Sequence, residues 1–146
     1  MTNVRCKGNK EIDLLAIHPK TLKKYHVESR VTTTFKLRLK ATYTKKGRCH
    51  RNGVDFFLKN KFDHPFVLEK IHEIFGNVPY EKWLVVWTVQ DDSVTKEAYK
   101  KFGIEVRKIW QFVFQMIKEG KTRGSRDDVL RIIEFMSKIL AFQPFG

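Results

Sequence analysis

The chain has 146 residues, the length of one domain with a proper core, and 42% of them are hydrophobic, twelve being Phe, which excludes a disordered basic tail. Lys and Arg number 29 against 16 acids, a net charge of +13 with a pI near 9.9. Such a field favours a polyanion, nucleic acid before membrane. No apolar run approaches the ~20 residues that span a bilayer. The Lys-rich start lacks a signal peptide's apolar centre, so the expectation is a cytoplasmic protein with no membrane partner.

The first predicted elements are two strands, Glu11 to Ile17 and Tyr25 to Val31, joined by a loop that begins His18-Pro19-Lys20. Side chains alternate along a strand, so Ile12, Leu14 and Ala16 are expected on an apolar face with Tyr25, Val27 and Val31. The opposite face carries Glu11, Asp13, His26, Glu28 and Arg30, interrupted by Leu15 and Ile17. An antiparallel pairing with the apolar faces together sets Asp13 opposite Glu28 or Arg30. Acids facing across strands repel unless a cation joins them. Two converging carboxylates suit a hard divalent cation with oxygen ligands, magnesium or manganese, which polarises a phosphoryl oxygen and activates water.

Thr32 to Arg51 holds seven cations, Lys36, Arg38, Lys40, Lys45, Lys46, Arg48 and Arg51, and no acid. In FKLRLKATY the alternation puts Lys36, Arg38 and Lys40 on one face and Phe35, Leu37 and Leu39 on the other, a further strand. TKKGRCHRNG reads as a mobile basic loop closing at Asn52-Gly53. This ridge is the candidate nucleic-acid surface, since cations must offset a phosphate backbone brought to carboxylates. Tyr43 is available to stack on bases.

Pro65 starts a helix behind the cap Asp63, with Val67, Leu68, Ile71, Ile74 and Phe75 at helical spacing until Gly76. Trp83 to Val89 is a nearly continuous apolar run, expected as the central strand. Gln90, Asp91 and Asp92 form a polar turn or cap, Thr95 to Phe102 a short helix, and Ile104 to Arg107 another strand. Trp110, Phe114 and Ile117 share a helical stripe that Gly120 ends. Ser125 caps a last helix with Asp127 and Asp128 in its first turn, Arg123 and Arg126 pairing with them, and Val129, Ile132, Ile133, Met136, Ile139 and Leu140 on its buried face. Cys6 and Cys49 have no CxxC spacing, the five His show no metal-protease spacing, and no phosphate-binding glycine loop is present.

At Asp13, Glu28 and Arg30 the order acid, strand turn, acid, one residue, cation resembles the PD-(D/E)XK nuclease superfamily, nearest its archaeal and uncharacterised members. The resemblance implies an α/β fold, a restriction-endonuclease-like mixed sheet flanked by helices, without the usual helix ahead of the first motif strand, since only ten residues precede Glu11. It also implies a metal-dependent endonuclease acting on DNA in preference to RNA, with Asp13 and Glu28 as metal ligands and Arg30 as a third catalytic residue. That third slot is usually Lys. Arg, permanently protonated, clamps a phosphate but relays no proton. The alternative on the same fold is an inactive nucleic-acid-binding or subunit module. A missing first helix favours a homodimer or a partner subunit.

Overall fold

A computed structural model of the chain describes residues 1–32 and 34–118. The chain divides into two compact units, Met1–Lys108 and Ile109–Gly146. The first holds strands β1 (Thr2–Arg5), β2 (Glu11–Ile17), β3 (Lys24–Arg30), β4 (Lys36–Leu37), β5 (Glu81–Val86), β6 (Thr88–Val89) and β7 (Ile104–Lys108). Its helices are α1 (Val54–Phe57), which runs into a π-helical turn at Leu58–Phe62, α2 (Pro65–Phe75) and α3 (Ser93–Phe102). Of the second unit the described part is helix α4, Ile109–Lys118, where the Trp110 and Phe114 rings meet edge-on, 6.1 Å apart. The readings made at Gly120, Arg123, Ser125, Arg126, Asp127 and Asp128 and along Val129 to Leu140 lie outside the described residues. No helix among the described residues is long and apolar enough to cross a membrane.

The fold is mixed α/β. Five strands form one sheet in the order β1-β2-β3-β5-β7, antiparallel from β1 to β3 and parallel from β3 to β7. The central strand is therefore β3, not the Trp83 to Val89 run. That run divides at Trp87, its first part entering the main sheet as β5 and its last two residues pairing parallel with β4 in a separate two-stranded sheet. Apolar content marked it as buried but carried no information on which sheet each half joins. In the register His26 stands beside Lys82 and Ile104, and Glu28 beside Leu84 and Val106, so these share one face of the sheet.

Two clusters pack on that face. Val4, Ile12 and Leu15 meet Val67, Ile71 and Phe75 of α2. Leu84, Val86, Ile104 and Val106 meet Val94 and Ala98 of α3 together with Leu37, Val54, Phe57 and Phe62. Ile12 belongs with Leu15, not with Leu14 and Ala16 as simple alternation requires. The slip falls at Asp13, where the β2–β3 ladder has stopped at Leu14 opposite Val27 and Ser29 N–H donates instead to the Asp13 side chain, 2.7 Å away.

Helix α2 starts at Pro65, as the sequence predicts, but its cap falls one residue after Asp63. His64, extended and not Asp63, is the N-cap, its Nδ1 accepting from Phe66 N–H at 3.3 Å. Asp63 instead pairs with Lys82 at 2.5 Å. Leu68, expected in the core, is 39% exposed, while Val67, Ile71 and Phe75 are buried. Helix α3 starts two residues before the predicted Thr95, because Asp91 takes the N–H and hydroxyl of Ser93. It ends at Gly103, whose φ of 64° is the left-handed conformation that glycine adopts without a Cβ penalty.

The alternation from Phe35 to Lys40 holds, with Leu37 fully buried and Lys36, Arg38 and Lys40 exposed, although only Lys36–Leu37 counts as strand. The basic segment after it is a tight β-ribbon rather than a loose loop. Tyr43 bridges Cys49, Thr44 N–H donates to Arg48 O, Gly47 N–H closes on Thr44 O, and His50 N–H donates to Thr42 O. Thr42 and Asn52 exchange side-chain hydrogen bonds across its base. Gly53 packs there so closely on Ala41 N and Asp55 Oδ1 that a Cβ has no room.

Candidate functional site

Strand β2 runs against β3, so its first residues and the last residues of β3 come to one end of the sheet, the carboxyl end of the parallel strands. In α/β sheets ligands bind at that end. A cleft of about 520 Å³ opens here, lined by Lys10, Glu11, Asp13, Ser29, Arg30, Arg51 and Lys61 among others. Phe56, Phe57 and Asn60 form its helical wall.

Asp13 is fixed in the cleft by its neighbour strand. Its Oδ2 accepts from Ser29 N–H at 2.7 Å and from Ser29 Oγ at 2.9 Å. This replaces a ladder bond by a side-chain bond, which holds the carboxylate still and leaves its Oδ1 without a hydrogen bond among the described residues.

The sequence places Glu28 with Asp13 on the charged face of the strand pair, opposite the apolar one. It lies instead on the buried face of the sheet, 1% exposed, because the face that carries Leu15 and His26 is the one α2 and the π-helical turn cover. Its Oε1 is 2.8 Å from Nε2 of His26, itself fully buried. The His26 ring packs 4.7 Å from Phe62 and 6.4 Å from Tyr80, whose phenol is pushed up by burial, with a smaller push from Asp63. Nδ1 of His26 has no hydrogen-bond partner among the described residues.

A buried carboxylate needs a counterion. Lys61 supplies it, with Nζ 3.0 Å from Glu28 Oε2. This is an ion pair without hydrogen-bond alignment. The same ammonium donates to the Glu11 carbonyl at 3.1 Å, tying the π-helical turn to the start of β2. Sequence reasoning did not single out Lys61. Its signal was weak, a lysine ahead of a Phe in LKNKF, and only the register of the wide turn brings it to the acid.

Arg30 is exposed at the end of β3, lines the cleft, and has its guanidinium 5.7 Å from the centre of the Phe35 ring. It is thus near Asp13, while the cation held on the buried acid is Lys61. Of the seven ridge cations the structure brings Arg51 into this cleft; its φ of 54° is unusual for a residue with a side chain. Lys45, Lys46 and Arg48 line a recess at the ribbon tip with Thr44, and Lys36, Arg38 and Lys40 line neither. Tyr43 at the ribbon is 65% exposed. Cys6 and Cys49 are free thiols.

Among the described residues no group of three or more His, Cys, Asp or Glu is gathered as a metal cage. A hard divalent ion needs less, since magnesium is commonly held by one or two carboxylates plus substrate phosphate and water. Two carboxylates stand on the neighbouring strands for such an ion: Asp13, which lines the cleft with its Oδ1 free, and Glu28, which is buried behind Lys61 and does not itself line the cleft. No family model matches the chain, and neither a curated protein nor a solved structure is significantly similar to it.

Proposed function

We propose that the chain is a nucleic-acid-binding, endonuclease-like protein of the PD-(D/E)XK type, hydrolysing phosphodiester bonds in DNA with magnesium or manganese. The observation that carries this reading is the cleft itself: a carboxylate pinned by Ser29 and surrounded by Lys10, Arg30, Arg51 and Lys61. Four cations around an acid suit a phosphodiester, because they offset the repulsion between its charge and the carboxylate. The mixed sheet with its two acids on neighbouring strands, the second on the central one, supports the restriction-endonuclease-like reading of the fold.

In this reading Asp13 and Glu28 hold the ion, which when bound polarises the scissile phosphoryl group and acidifies a water. Arg30 and Arg51 clamp the phosphate. The ribbon with Lys45, Lys46 and Arg48 follows the backbone, joined by Lys36, Arg38 and Lys40. Its test is incubation of labelled DNA and RNA with magnesium, with manganese and with EDTA, for the wild type and Asp13→Asn. The reading expects metal-dependent cleavage of DNA that Asp13→Asn abolishes.

A second reading, a binding or subunit module without chemistry, is favoured by one feature: protein groups already meet both oxygens of Glu28. Tight, salt-sensitive binding with no cleavage under any metal would select it.

A further inference from the structure

We infer that Lys61 and a divalent cation are alternative counterions of Glu28 at one place beside the cleft, the ammonium holding it until the metal arrives. The inference rests on the reading of Asp13 and Glu28 as metal ligands. The Lys61 ammonium sits between Glu28 Oε2 at 3.0 Å and the Glu11 carbonyl at 3.1 Å. Both are hard oxygens, the donors that magnesium and manganese take. Glu28 Oε1 is held by His26, so Oε2 is the remaining donor atom of this carboxylate; Glu28 does not line the cleft, and Lys61, which does, stands on Oε2. Oε2 is also buried and has no hydrogen bond among the described residues, so nothing but this cation meets its charge there. Two cations do not share one carboxylate oxygen without strong repulsion.

The way out is open. Lys61 lines the cleft and its side chain is 31% exposed, so the four-carbon stem can turn the ammonium into the cleft while Phe62 stays in the core. The exchange then serves the substrate as well as the acid. An ammonium that leaves Glu28 joins Lys10, Arg30 and Arg51 in the open cleft, so the field facing a phosphate strengthens as the metal binds.

The test uses manganese alone and reads free ion by electron paramagnetic resonance, with thermal melting beside it. Lys61→Met removes the competitor and should bind manganese at least about tenfold more tightly than the wild type, a difference of about 1.4 kcal/mol. Its melting temperature should also rise more on adding manganese, since the ion now supplies the missing counterion. Lys61→Gln, polar and neutral, serves the same comparison if the Met variant does not fold. Lys10→Met removes an equal charge from the cleft without freeing Glu28, and should change manganese affinity less than about threefold. Equal affinity in wild type and Lys61→Met, with binding lost in Asp13→Asn, would overturn the exchange and leave the metal site standing. Equal gains in Lys61→Met and Lys10→Met would also overturn it, by showing a through-space charge effect. Absence of manganese binding in all of them would overturn the metal reading itself.

Discussion

The pair Glu28–Lys61 should respond very unequally to loss of its two members. At 3.0 Å two unit charges attract by about 5.5 kcal/mol at an effective dielectric near 20. Desolvation of Glu28 cancels much of that, so the intact pair adds little net stability. What matters is the partner left behind. Lys61→Met leaves a carboxylate that is 1% exposed with no cation on Oε2, and a stranded buried charge costs about 3–5 kcal/mol. Glu28→Gln leaves Lys61, 31% exposed, free to turn to water, while the amide oxygen still accepts from His26; the loss should be about 1–2 kcal/mol. Urea unfolding in EDTA measures the difference: at unchanged slope a gap of about 2 kcal/mol moves the midpoint by about 1 M. The double variant should lie near Glu28→Gln rather than at the sum of the two losses, because the stranded charge is gone. Equal losses for the single variants, or a larger one for Glu28→Gln, would refute the assignment of Lys61 as the counterion.

Further expectations concern the core, the ribbon and the thiols. Phe62→Ala empties a fully buried position beside His26 and should cost about 3–5 kcal/mol in the same urea experiment. Replacing Lys45, Lys46, Arg48 and Arg51 with Ala should lower the slope of log affinity against log salt by up to about 3.6 for duplex DNA, and an unchanged slope would place the contact surface elsewhere. Burial raises the Cys6 thiol above its ordinary value, against a smaller lowering by Lys70, so at pH 8.5 it should alkylate more slowly than a free thiol such as glutathione; reaction at the free-thiol rate would contradict this.

Local pattern carried much of the fold. Strand β2 is found at its predicted bounds and β3 one residue earlier than its predicted ones, because β-branched and aromatic residues between turn signals leave few alternatives. Helix α2 and strand β7 were legible for the same kind of reason, Pro65 and Gly76 bounding the one and Gly103 opening the other. The pairing pattern puts Asp13 across from Glu28 or Arg30, and in the structure it bonds Ser29, the residue between them. The burial of Glu28 was not legible. A charged residue in a strand reads as solvent-facing, and the cation that makes burial tolerable lies 33 positions further on with no motif to announce it. The order of strands in the sheet escaped for a similar reason, since hydrophobicity measures burial and not neighbours.

The π-helical turn has a consequence for rigidity. At 3.6 residues per turn, positions five apart in an α-helix point about 140° away from each other. Phe57 and Phe62 are five apart, and both are buried in one cluster, because the wider turn, closed by Asp63 N–H on Leu58 O at 2.7 Å, brings them round to the same side. Lys61 precedes Phe62 and shares its backbone placement. The ammonium is therefore aimed by the seating of an aromatic ring, and the charge geometry of the cleft inherits the stiffness of a packed interior instead of the looseness of a surface lysine. A methylene lost from that ring's surroundings would be felt at a carboxylate before it was felt in the shape of the sheet.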